Sequence, residues 1–244
     1  MQMLFTLLLL TSQLSRALIA PVDSGNPESV TLDILSESNS TFKTAKCELD
    51  DAPSLMFAPA FGYRLDKIVA GDTLVWECKN NVHVALLNVH LKDGVPQSAF
   101  LLLEPESGEH SSKNLVLKEA TGGSYAGAKW EEANQKEFGD AVRKVRKTPH
   151  SVQSFTLDIG KNDNRWASLE LQNMRTLAFI PHSGFHATKV CRGEYSFWEG
   201  KPGERCISAF LVDNRELHLI LKYNQEKEWT LTFTYNSGTW ISDQ

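Results

Sequence analysis

Apolar residues along most of the chain recur with a period of two over short stretches, and Gly, Asn, Asp or Pro stands between the stretches. Side chains alternate across a strand, so this pattern predicts short, half-buried β-strands joined by tight turns. The first is Val30-Thr31-Leu32-Asp33-Ile34, followed by the polar loop Ser36-Glu-Ser-Asn39-Ser40. Phe42 to Leu49 alternates loosely, and Ser54 to Phe61 contains Pro59, which marks a strand edge or end. Leu65 to Val69, the turn Ala70-Gly71-Asp72 and Thr73 to Lys79 read as a hairpin with Leu74, Trp76 and Cys78 on one face. Val82 to Leu91, Ala99 to Leu103 and Leu115 to Lys118 add three more strands.

One stretch breaks the period. From Glu131 to Arg146, apolar Ala133, Phe138, Ala141, Val142 and Val145 fall near helical spacing, with acidic residues first and basic ones last. That charge order suits the helix dipole and predicts one short helix closing the first half. Strands resume at Phe155 to Ile159, Arg165 to Leu171, Leu177 to Pro181, Lys189 to Cys191 and Glu194 to Trp198. A meander follows over Cys206 to Val212, Glu216 to Tyr223 and Glu228 to Tyr235, with Asp213-Asn214 and Asn236-Ser-Gly238 as turns. The whole predicts a mostly β protein of antiparallel, sandwich-like sheets.

The two halves repeat each other. Thr31-Leu32-Asp33-Ile34 returns as Thr156-Leu157-Asp158-Ile159, and Phe57-Ala-Pro59-Ala-Phe-Gly62-Tyr63 is echoed by Phe179-Ile-Pro181-His-Ser-Gly184-Phe185. Lys67-Ile68-Val-Ala-Gly71-Asp72 and Trp76-Glu77 are echoed by Lys189-Val190-Cys-Arg-Gly193-Glu194 and Trp198-Glu199. Similarity at this distance predicts two copies of one domain rather than a short-period solenoid. The expected organisation is a signal peptide over 1–20, a flexible leader over 21–29, domains over 30–146 and 155–244, and a linker over 147–154.

The signal reading rests on the short apolar run Met1 to Thr11, too short to span a bilayer, and on Ser15 and Ala17 around Arg16 or Ala20 as cleavage points. No later segment is apolar enough to cross a membrane as a helix, so a soluble, exported mature chain is expected. A balance of 25 Lys and Arg against 30 Asp and Glu argues against nucleic acid, which is bound through clustered cations. The basic run Arg143 to Lys147 reads instead as the last turn of the helix. Four cysteines, Cys47, Cys78, Cys191 and Cys206, permit one disulfide per half in an exported chain. The two pairs do not occupy matching repeat positions, and buried free thiols are the alternative.

Taken together, Thr-Leu-Asp-Ile, the aromatic-Gly-aromatic step, the Lys-Ile/Val turn with Gly-Asp/Glu, the Trp-Glu pair, and the later Gly127-Ala-Lys-Trp130 and Gly238-Thr-Trp240 resemble the FAINT domain. This repeat is frequently associated in Theileria, in large sets of exported proteins. The resemblance covers both halves. The chain departs from the family in its balanced charge, and its second half is shorter between Trp198 and Trp240 than the first between Trp76 and Trp130. Membership would imply a secreted parasite protein directed toward the host, with no catalytic residues to carry over.

The repeated residues have structural readings. Gly71 and Gly193 suit positive φ at a turn. Trp76 and Trp198, with Trp130 and Trp240 later in each copy, are expected in the repeat cores. Truncating a core Trp costs about 3–5 kcal/mol, a large share of the roughly 5–15 kcal/mol of a whole domain. Asp33 and Asp158 read as carboxylates bonding a neighbouring loop. Gly122-Gly-Ser-Tyr-Ala126-Gly127 is a hairpin tip, since Ala126 stands where a nucleophile elbow needs glycine. His182 and His186 are four apart with Cys191 nearby, but Pro181 and Gly184 forbid the helix that would converge them on zinc. His83 and His90, seven apart in one strand, fall on opposite faces. Glu104 and Glu106 lie in a Pro-Ser-Gly loop and read as solvated, and Asn39-Ser40-Thr41 is a glycosylation sequon in a loop. No catalytic, cofactor or metal site is expected. The function expected is non-catalytic binding of an unknown protein partner. The alternative is a small-ligand or glycan-binding protein with Tyr63, Phe185 or Tyr195 as an aromatic platform.

Overall fold

Alternation in the first half builds nine strands: β1 (Glu28–Asp33), β2 (Phe42–Leu49), β3 (Ala52–Pro59), β4 (Tyr63–Ala70), β5 (Thr73–Glu77), β6 (Val82–Lys92), β7 (Val95–Pro105), β8 (Ser111–Lys118) and β9 (Lys129–Glu132). The second half builds β10 (Gln153–Asp158), β11 (Trp166–Leu171), β12 (Thr176–Pro181), β13 (Phe185–Arg192), β14 (Tyr195–Glu199), β15 (Glu204–Val212), β16 (Glu216–Tyr223), β17 (Lys227–Asn236) and β18 (Thr239–Asp243). Between them, among the described residues, lies one helix, α1 (Gln135–Val145). The structure is a computed structural model and describes residues 26–36, 40–105, 110–118, 128–147, 152–171, 174–224 and 227–243. The expected signal peptide, most of the leader, Asn39 of the sequon, Glu106, the Gly122–Gly127 tip and residues 148–151 of the linker lie outside the described residues.

The two halves form two nine-stranded sheets with the same connectivity. The first runs β1-β4-β6-β7-β8-β9, with β5 on β4 and the β2–β3 hairpin on β6. The second runs β10-β13-β15-β16-β17-β18, with β14 on β13 and β11–β12 on β15. Three pairs of irregularities also coincide, while the shift at His90/Leu91 belongs to the first sheet. Bulges fall at Val30/Thr31 and Phe155/Thr156, at Ile68/Val69 and Val190/Cys191, and at Val84/Leu86 and Cys206/Ser208. One feature departs from the antiparallel expectation: β1 pairs β4, and β10 pairs β13, in parallel. A hairpin intervenes in each half, so the chain returns beside its first strand running the same way. Alternation records which face a residue takes, not strand direction.

Tight turns follow from residues that tolerate left-handed backbone. Asp50-Asp51, Asp93-Gly94 and Asp213-Asn214 all have positive φ at both positions, the conformation that matches hairpin twist. Gly71 and Gly193 both sit at φ +60 in the β4–β5 and β13–β14 turns.

Each sheet curls round its own core. In the first, Leu65, Ile68, Val84, Leu87, Leu101 and Leu115 meet Phe57 and Val75; in the second, Leu157, Val190, Phe197, Leu217, Leu219 and Phe233 meet Phe179 and Trp166. A third core joins the halves: Ala45, Cys47, Met56, Leu86 and Phe100 of the first sheet, Leu169, Ile180, Ile207 and Ile220 of the second, and Phe138, Val142 and Val145 of α1.

The helix is shorter than expected, because Lys129–Glu132 belongs to β9. Its start is set by Asn134, whose Oδ1 accepts from the N–H groups of Lys136 and Glu137 at 3.0 Å while Glu137 Oε2 accepts from Asn134 N at 3.1 Å. This capping box ends the strand and begins the helix. In the β4–β5 hairpin the inward residue is Val75, while Leu74 is 50% exposed. His83 and His90 also depart from expectation. Val84 and Leu87 share one core while Leu86 lies in another, so the extra residue at Ala85 resets the alternation and puts His83 on the face of Leu86, Asn88 and His90.

Candidate functional site

The repeated acids end the first strand of each sheet and bind the neighbouring turn. Asp33 Oδ1 accepts from Leu35 N and Gly71 N, both at 3.0 Å; Asp158 Oδ1 accepts from Gly160 N and Gly193 N, both at 3.1 Å. Burial alone would raise the Asp158 carboxyl, but the Gly193 and Gly160 N–H groups and the Lys161 ammonium hold it below its ordinary range. Trp76 lies opposite Ile68 and Trp198 opposite Val190, equivalent places in the two sheets. Both are half-buried at the core rim, as are Trp130 and Trp240. The fully inward neighbours are Val75 and Phe197. A side chain at Gly200 would strike the Trp198 ring at 2.7 Å, so that glycine lets the indole lie flat on the strand.

The four cysteines are free thiols. Cys47 faces the shared core and Cys78 lies just past β5, so neither half is bridged. Burial raises the Cys47 thiol far above its ordinary range and pushes Cys206 up to about 12, leaving both protonated. His182, His186 and Cys191 do not converge. His182 Nδ1 donates to the Lys46 carbonyl at 3.1 Å, His186 Nε2 accepts from Arg205 Nη1 at 3.1 Å, and Cys191 lies at the far end of β13. His90 is buried beneath α1. Asn88 Nδ2 donates to its Nε2 at 3.1 Å, so its proton sits on Nδ1 and goes to Ser54 Oγ at 2.9 Å, which donates on to Ala52 O. Burial lowers this imidazole to about 4.

Two polar clusters dominate the described residues, at equivalent places in the two sheets. In the first sheet, β4 contributes Arg64 and Asp66, β6 contributes His83, and Cys78 follows β5. His83 Nδ1 lies 2.5 Å from Asp66 Oδ1 and 3.6 Å from Cys78 Sγ. Ser29 Oγ donates to Asp66 Oδ2 at 2.5 Å, and Arg64 Nε stands 3.3 Å from Asp66 Oδ1. Burial and then the Asp66 charge raise the Cys78 thiol. Thiol and carboxylate address the same imidazole nitrogen, whereas a nucleophile relay needs one on each. The arrangement therefore does not activate Cys78 for attack, but it does gather a sulfur, a nitrogen and an oxygen around one point.

In the second sheet the same strand positions carry His186, Thr188, Gly200 and Arg205, with Lys222 opposite Arg205 on β16. These cations face the other half of the molecule. Asp51, in the β2–β3 turn with its side chain wholly buried, accepts from Arg205 Nη2 at 2.6 Å and Lys222 Nζ at 2.7 Å. Lys46 O on β2 takes Ser183 N at 3.0 Å beside the His182 bond. This set joins the two sheets. Sequence reading passed over both clusters. The Cys78-to-His83 spacing across a turn was the available signal for the first, and the Asp50-Asp51 turn for the second.

Residues 31–104 match the family model FAINT, described as a domain of unknown function, DUF529. The matched stretch runs from β1 into β7 and contains Asp33, Gly71, Trp76 and the Asp66, Cys78 and His83 cluster. No curated protein and no solved structure matches the chain.

Proposed function

We propose that this is a secreted, non-catalytic binding protein of two FAINT-like modules that engages a protein partner of a host cell. The observation that carries the binding reading is an aromatic cluster that, among the described residues, reaches the surface on the second sheet and not on the first. Phe197 lies 4.9 Å from Tyr195, 5.4 Å from Phe233 and 5.2 Å from Trp240, and Tyr235 lies 5.2 Å from Trp240. Tyr195 and Tyr235 are exposed at its rim, beside the edge strand β18. The first sheet has Thr73, Val75, Leu115 and Leu117 at the corresponding positions, and its β9 carries Trp130 where β18 carries Trp240. Rigid aromatic rims beside a free strand edge are what protein interfaces use. Tyr63 and Phe185 do not join this patch; both are half-buried, and Phe185 packs edge-on against Phe155.

Export is supported by the apolar N-terminal run and host direction by the family resemblance. The same exposed tyrosines favour a second reading, stacking on a glycan. Crosslinking and affinity capture from host cells with residues 21–244, beside the Tyr195→Ala/Tyr235→Ala variant, tests the proposal. A protein captured reproducibly by the native chain and lost by the variant supports it. Binding to a glycan array with the same loss moves the reading to sugar, and no reproducible partner overturns it.

A further inference from the structure

We propose that Asp66, Cys78 and His83 form a binding site for a zinc-class divalent cation, with water completing the coordination. The three donors are a carboxylate oxygen, a sulfur and an imidazole nitrogen, all mutually within 4.8 Å. Zinc takes this donor set at about 2.0–2.3 Å in tetrahedral geometry, which places sulfur and nitrogen about 3.6 Å apart. Cys78 Sγ and His83 Nδ1 stand at 3.6 Å. The same geometry asks for about 3.3 Å between nitrogen and oxygen, so the Asp66 to His83 contact at 2.5 Å must open. Asp66 retains 23% side-chain exposure and has room to withdraw. Its other oxygen is held by Ser29, and Arg64 braces both Asp66 and Ser29 Oγ, a second layer that orients a ligating carboxylate. Cys78 is only partly buried, leaving a side open to water.

The protons balance simply. Ion entry displaces the thiol proton to solvent, and the Nδ1 proton of His83 moves to Nε2, freeing the Nδ1 pair. Nε2 has no partner among the described residues, so this tautomer breaks no other hydrogen bond. The Arg64 cation opposes the metal charge, so binding is weaker than at a four-ligand structural zinc site. The second sheet is an internal control: Thr188, Gly200 and Arg205 stand at the three positions and supply no such donor set.

Cobalt(II) titration of the full mature chain under a non-thiol reductant at pH 8 tests the site. The expected result is one ion per chain, a thiolate-to-cobalt charge-transfer band displaced by zinc, and about one proton released per ion. Cys78→Ser should abolish the band, Asp66→Asn should weaken affinity at least tenfold, and Cys206→Ser should leave the band intact. Since the second sheet accepts glycine at the position of Cys78, the Cys78→Ser chain should fold, which far-ultraviolet circular dichroism checks. Zinc should raise the melting temperature of the native chain but not of Cys78→Ser. Absence of the band in the native chain, or its persistence in Cys78→Ser, overturns the site.

Discussion

At one strand position the two sheets carry opposite solutions to the same packing problem. The first sheet places His83 there, beside Asp66 and opposite Glu104, and its charges are met by partners in the same sheet. The second places Arg205 there, opposite Lys222, and its cations are met by Asp51 from the other sheet. Topology and the bulge beside this position are shared, so the difference here lies in side chains. A self-contained cluster leaves its sheet independent at that point. A cationic one needs a partner, and here the partner is the neighbouring half of the chain.

Breaking the cross-sheet set should show the largest effect. Asp51→Ala strands two buried cations, and losing one member of a buried ion pair costs about 3–5 kcal/mol. Asp66→Asn, in a cluster with solvent access, should cost about 1 kcal/mol. Urea denaturation of both variants measures the contrast, and equal losses would erase it. Replacing all three groups, Asp51→Asn with Arg205→Met and Lys222→Leu, keeps a residue that tolerates φ 61 at position 51 and should recover part of the loss, since apolar packing can stand in for the paired cations.

Acid is the next probe. His90 titrates near 4 in the fold because of its burial, against 6.5 ordinarily. The unfolded chain therefore takes up the proton first. Its contribution to stability is whole above about pH 6.5 and is lost as pH falls toward 4, amounting to about 3 kcal/mol. Burial first and then the Arg205 charge push the half-buried His186 the same way, to about 4. Denaturation midpoints between pH 7 and 4 should fall for the native chain and fall less steeply for His90→Gln.

The repeated acids and glycines should behave alike in the two sheets. Asp33→Ala and Asp158→Ala each remove an acceptor of two backbone N–H groups and should cost about 1–3 kcal/mol. Gly71→Ala and Gly193→Ala force a Cβ into φ +60 and should each cost about 1 kcal/mol. Thermal unfolding of the four variants would show paired effects if the two turns are the same device. Unequal pairs would confine the likeness to topology.

Much of the strand pattern was legible because alternation and turn residues are local. Asp213-Asn214 marks its hairpin, and Val82 to Leu91 nearly spans β6. The helix start was missed because Glu131 and Glu132 read as an acidic first turn, while the capping box at Asn134 puts them in β9. Val75 was passed over as a core residue because the bulge at Ile68/Val69 adds it beside Trp76, which packs against the same core from its rim. The Cys78-to-His83 spacing and the Asp50-Asp51 turn mark only part of each cluster, because Asp66 joins the first through strand register, and Asp51 meets Arg205 and Lys222 across two sheets.

Local chemistry in the sequence was enough to settle that this protein is mostly β, that its halves echo one another, and where its tight turns lie. Those properties depend on residues near each other in the chain, whose backbone preferences act before any long-range contact forms. Strand direction, the reversal of faces at the bulges, and the grouping of distant charges came only with the tertiary structure. One inserted residue in a strand turns every later side chain to the other face, and only pairing with a neighbour shows where that residue stands.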